Sequence, residues 1–103
     1  MGFIMNKVLL KAKAIELEKL LLKCSETDDE ASDLFRVLSL LIENSKSMML
    51  ESPLEWRDIP GAIFFSEGSL AKFSDLEKAF SEFRIELTGG EPLALRRLRG
   101  RQH

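Results

Sequence analysis

The sequence predicts an all-α protein: an antiparallel helical hairpin plus a third helix, forming a small three-helix bundle, with an irregular apolar crossover and a basic C-terminal tail. Three observations predict it. Two stretches, about 4–24 and about 28–51, repeat apolar residues at the three-four spacing of one helix face. The helix-start signal Thr27-Asp28-Asp29-Glu30 separates them by only a few residues. A third periodic stretch, about 75–88, opens on Ser74-Asp75-Leu76-Glu77 and stops at Gly89-Gly90.

In the first helix, Leu10, Ala14, Leu17, Leu21 and Cys24 form one row. A second row, Val8, Ile15 and Leu22, with Leu9 and Leu20 alongside, widens the stripe beyond a two-stranded coiled-coil seam. Such a helix wants partners on more than one side. Lys7, Lys11, Lys13, Glu16, Glu18, Lys19 and Lys23 supply the solvated remainder, with Glu16 spaced to pair with Lys19.

Thr27 and Glu30 are placed as a capping box, each side chain satisfying the other's exposed backbone donor. Asp28, Asp29 and Glu30 also suit the positive end of the helix dipole. A calcium loop is the sharper reading of this acidic cluster, but the EF-hand alternation and its glycine are missing. The second helix then carries Ala31, Leu34, Phe35, Leu38, Leu41, Ile42, Ser45, Met48 and Met49 on one face. Its short connection to the first helix forces it back along that helix. Pro53 is expected to end it, since proline disfavours a helical residue before it and lacks an N–H.

Residues 52–73 are irregular, yet Trp56, Ile59, Ile63, Phe64 and Phe65 are too apolar for an exposed linker. Pro60-Gly61 and Gly68 mark turns, so the segment is expected to pack across the hairpin. Ala62 to Phe65 has the composition of a short strand, but a lone strand has no ladder partner within the domain. It reads as extended chain or a helical turn, with a strand supplied by a partner as the alternative. In the third helix Leu76, Ala79, Phe80, Phe83 and Leu87 form the apolar face, and Phe73, Phe80 and Phe83 are expected to complete the core.

After Gly90, Pro92 is suited to open a short helix bearing Leu93, Leu95 and Leu98 among Arg96, Arg97, Arg99 and Arg101. Residues 91–103 are therefore expected to be a short amphipathic helix or a disordered tail that docks on protein. Four close arginines also suit phosphates, but the tail lacks the aromatic residues that stack bases.

At 103 residues the chain fits one domain, residues 1–90, plus this tail. Its 45% hydrophobic and 31% charged content is that of a folded chain. Net charge is −2, but unevenly spread: residues 1–23 carry +3, residues 24–90 carry −8 and residues 91–103 carry +3. Opposite surface fields of this kind favour docking of the ends on the middle, within one molecule or between two. The N-terminus begins apolar, but Lys7, Lys11 and Lys13 interrupt any signal-peptide core, and Asn6 spoils a myristoylation pattern at Gly2. No run reaches the roughly 18 apolar residues of a spanning helix. The single Cys24 cannot form an internal disulfide, so a cytoplasmic home is expected.

Catalysis has little support. His103 is the terminal residue, where no surrounding group holds it as a base or ligand. Cys24 without a nearby histidine makes neither a zinc site nor a thiol pair. Glu26 with Asp28 and Glu82 with Glu86 read as solvated faces, and Gly89-Gly90 lacks the lysine of a phosphate loop. No enzyme activity, cofactor or metal is expected.

What remains is contact. The sequence points to a small protein-protein interaction module of adaptor, chaperone or neutralising-partner type, acting through apolar helix faces as a homodimer or complex subunit. Its candidate contact residues are Leu17, Leu21, Met48, Met49, Trp56, Phe64 and Phe65. The alternative is a small regulator that touches nucleic acid through Arg96, Arg97, Arg99 and Arg101.

Overall fold

A computed structural model describes residues 6–90. Helix α1, Lys7–Ser25, starts where the Asn6 side chain accepts a hydrogen bond from the Leu9 N–H at 2.9 Å. Leu10, Ala14, Leu17 and Leu21 are its buried row. Three residues later the chain returns as α2, Asp29–Lys46, with the Ser32 hydroxyl donating to the Ser25 carbonyl across the turn at 3.2 Å. The expected helical hairpin is formed.

The cap of α2 differs from the expected one. Asp28, not Thr27, is the capping residue: its Oδ1 accepts from the Glu30 and Ala31 N–H groups at 2.9 and 3.1 Å. An ionised carboxylate is a stronger acceptor than the Thr27 hydroxyl, and the Lys72 ammonium, 3.1 Å from its other oxygen, keeps it ionised. Glu30 therefore leaves the capping box and turns to the crossover, accepting from the Ser69 N–H at 3.0 Å and from the Ser69 hydroxyl.

Helix α2 also stops at Lys46, about five residues before the expected end near 51. Pro53 does not stop it. Met48 adopts a left-handed φ of 58°, the Met49 N–H donates to the Asn44 carbonyl at 2.9 Å, and the Met48 N–H donates to the Ser45 carbonyl at 3.3 Å. This is the paired helix-ending pattern usually built on glycine, here carried by a methionine at a conformational cost.

The crossover holds a 3-10 turn at Trp56–Asp58, the one-turn helix α3 at Ile63–Ser66, and a second 3-10 turn at Leu70–Lys72. There is no strand among the described residues, and 62–65 fall in the helical turn. Ile59, Phe65 and Leu70 are buried, so the segment packs across the hairpin as its composition requires. The Leu54 N–H donates to the Leu87 carbonyl at 2.8 Å, tying the start of the crossover to the end of the last helix.

That last helix, α4 at Ser74–Leu87, follows Phe73 directly, with no side-chain cap. The expected Ser74–Glu77 capping box does not form, because Ser74 already lies inside the first turn and the Glu77 N–H donates to the Phe73 carbonyl at 3.0 Å. The glycine stop is as expected: Gly89 has φ 104° and the Gly90 N–H closes on the Ile85 carbonyl at 2.8 Å.

Helix α1 is the middle of the bundle, packed on α2 along one side and on α4 along the other. Lys46 to Glu18 at 2.8 Å and Lys13 to Glu82 at 3.0 Å flank the two seams. Gly61 sits between α2 and α4, where a Cβ would come 2.7 Å from Leu34 Cδ1 and 3.2 Å from Phe80 Cε1. Its φ of 113° is also one that only glycine adopts readily.

Two outcomes follow. Gly61→Ala should lower unfolding free energy in urea by about 2 kcal/mol through clash and backbone strain together; an unchanged midpoint would contradict the packing of the crossover between the helices. The Lys72 ammonium, then the Ala31 N–H, hold the Asp28 carboxyl below its ordinary value of 3.8. A carboxyl lowered on folding stabilises above its unfolded value and stops doing so as pH falls through the folded one. Asp28→Ala should thus lower the urea midpoint at pH 7, and its gap from the parent should narrow below pH 4; a gap independent of pH would contradict the charged cap.

Candidate interaction surface

The residues singled out in the sequence divide by burial. Leu17 and Leu21 are completely buried under α2 and α4, so they build the core and offer a partner nothing. Phe65 is buried as well, stacked on Phe80 with ring centroids 5.0 Å apart, and Phe64 packs partly buried against the same core. Three of the seven stay outside: Met48 and Met49 at the end of α2, and Trp56 in the crossover. Arg96, Arg97, Arg99 and Arg101 lie outside the described residues.

Trp56 is 51% exposed and carries the Arg84 guanidinium over its ring at 3.7 Å. Burial pushes the Arg84 pKa down, and its Nε–H has no acceptor among the described residues. The stacking holds the indole against α4, which removes one of its faces from solvent.

A larger apolar surface lies on the outside of the hairpin. On α1, Val8 is 70% and Leu22 53% exposed, with half-buried Ile15 between them; on α2, Leu40 is 71% exposed. The spacing explains why they share a side. Ile15 and Leu22 flank Glu18 by three and four positions, and Glu18 reaches across to Lys46, so all three lie on the α2 side of α1, away from its buried row. Leu40 stands three positions before Glu43, which shares the same Lys46 at 3.4 Å. The hairpin register set by the pairs Lys46–Glu18, Ser32–Ser25 and Lys7–Glu51 puts Leu22 level with Leu40 and Val8 level with Met49, itself 68% exposed.

The electrostatics of this face are settled by that one lysine. Glu18, then Glu43, hold the Lys46 ammonium above its usual range, so it stays charged and fastens α1 to α2 through neutral pH. Lys11 and Lys19, in contrast, form no ion pair among the described residues.

Sequence reasoning named the row Val8, Ile15 and Leu22 as surplus but left it out of the contact residues. Leu40 was missed altogether: it falls off the buried face of α2, but only the hairpin register brings it beside the surplus row of α1.

The other groups with chemistry are quiet. Cys24 lines a hollow of about 320 Å³ with Lys23, Thr27 and Lys72, and burial pushes its thiol pKa up, which keeps it protonated and a weak nucleophile. No three His, Cys, Asp or Glu side chains among the described residues are grouped to hold a metal ion. No described helix is long and apolar enough to cross a membrane. Compared with protein-family models, curated proteins and solved structures, the chain matches none.

Proposed function

We propose that this chain is a small helical protein-protein interaction module, working through the outer face of its α1–α2 hairpin as a homodimer or a subunit of a larger complex. One observation supports it above the rest. The core closes on Leu10, Ala14, Leu17 and Leu21 of α1 while Val8, Leu22 and Leu40 stay exposed on the outward side of the hairpin, with exposed Met49 level with Val8 just past the end of α2. Single exposed leucines are ordinary on a protein surface, but a shared face of them is what a partner covers.

The crossover strengthens the reading. It supplies Ile59, Phe65 and Leu70 to the core, so among the described residues the segment that could cover surplus apolar surface is already used on the opposite side. A single, free cysteine fits a reducing, cytoplasmic setting. In this reading the protein acts by holding a partner, with no reaction of its own.

Leu40→Asp tests it. At a position this exposed the change should alter the unfolding free energy of the single chain, measured where the parent is dissociated, by no more than about 0.5 kcal/mol. In light scattering after size exclusion, the parent should run above the 11.7 kDa of one chain. The variant should fall to the monomer mass with its helical circular dichroism intact. Association that survives the substitution would remove this face as the contact surface.

A further inference from the structure

The exposed apolar face on the outside of the hairpin does not by itself say what covers it; its charges do. Helix α1 carries five lysines against two glutamates, whereas α2 carries Asp29, Glu30, Asp33 and Glu43 against Arg36 and Lys46. Lys13, Lys7 and Glu30 are taken up by Glu82, Glu51 and Ser69, so what α1 brings beside Ile15 and Leu22 is Lys11 and Lys19, and what α2 brings beside Leu40 is Asp33 and Glu43 with Arg36 and Lys46 as their own partners.

Two ways exist to lay two such hairpins face to face with twofold symmetry. With the axis across the helices, α1 lies antiparallel on the partner's α1. The midpoint falls near Ile15, and Lys11 comes opposite Lys19 of the second copy, while Glu18, the carboxylate beside them, is already engaged by Lys46. With the axis along the helices, each α1 lies on the other copy's α2. The heights of the hairpin are then preserved: Leu22 faces Leu40, Val8 faces Met49, and Lys19 comes level with Glu43.

We infer that the occupant of this face is a second copy of the chain, packed so that α1 of each protomer lies antiparallel on α2 of the other in a four-helix layer pair. This rests on the interaction-module reading above. Three things carry it. The apolar side chains match at both ends of the face, Leu22 with Leu40 and Val8 with Met49. The unpaired lysine of one helix meets the acidic helix of the other copy, where complementary charge selects this pairing over its like-charged alternative. The size is also adequate: two adjacent helices of about 18 residues give a face roughly 27 Å long and about 20 Å wide, of the order a standard interface needs on each side.

A heterologous partner of the same shape would have to supply both an acidic and a basic helix at this spacing; the chain already does so. No covalent chemistry is involved, and Lys46 remains within its own hairpin, bridging Glu18 and Glu43.

Disulfide trapping tests the arrangement on the full chain in a Cys24→Ser background. Leu22→Cys protein mixed with Leu40→Cys protein, one of them carrying a mass tag, should give the mixed disulfide in clear preference to either self-linked product. Preferential linking of Leu22→Cys to Val8→Cys would overturn the arrangement while leaving a homodimer. A monomer mass for the parent at every concentration would remove the second copy as occupant before any cross-link is tried. The charge argument has its own check: Lys19→Glu should weaken dimerisation about tenfold, and Lys19→Glu with Glu43→Lys should restore most of it. A double variant no tighter than the single would show that this pair does not choose the orientation.

Discussion

Everything in this bundle depends on one row of α1. Leu10, Ala14, Leu17 and Leu21 are removed from water by two neighbours at once, α2 on one side and α4 on the other. Burying a leucine is worth on the order of 2 kcal/mol, and a substitution in this row would be felt at both seams. Placing α1 in the middle fixes the rest of the layout. The two flanking helices leave a gap on the inner side, which the crossover fills with Ile59, Phe65 and Leu70, and Gly61 is the residue small enough to pass between Leu34 and Phe80. Among the described residues, the opposite side of α1 has no such cover.

The apolar side of this layout could be read from the sequence, because it follows from periodicity. The buried residues of α1, α2 and α4 all belong to the rows that three-four spacing picks out, and the glycine stop at 89–90 is where the composition puts it. The polar details could not be read in the same way. Thr27 and Ser74 occupy good capping positions locally, but Asp28 wins the first through Lys72, a residue more than forty positions away, and Phe73 pre-empts the second by starting the helix one residue sooner. A similar limit applies to the end of α2. Proline is a visible stop signal, whereas a methionine in the left-handed region announces nothing in the sequence.

The contact residues show the same division. Spacing places Leu17 and Leu21 on an apolar face without saying whether that face is inside, and both proved to be core. The wide stripe of α1 held the better clue. A helix in the middle of a layer can bury one side against its neighbours and have apolar residues left over on the other, and Val8, Ile15 and Leu22 are that remainder. Leu40 joins them only when the hairpin register is known, since no repeat within α2 points to it. Charge is less legible: the pair that joins the two helices is Lys46 of α2 on Glu18 of α1, which runs against their net charges, and in the proposed dimer the surplus charge of each helix would meet its opposite.

If a second copy covers the outer face, folding and association share free energy, and stability must then depend on protein concentration. Thermal unfolding followed by circular dichroism at two concentrations a hundredfold apart tests this with the unmodified chain. A midpoint that rises by several degrees at the higher concentration is the predicted result. A midpoint that stays the same, with unfolding reversible at both concentrations, would contradict the account and leave Val8, Leu22 and Leu40 as surface residues of a self-sufficient monomer.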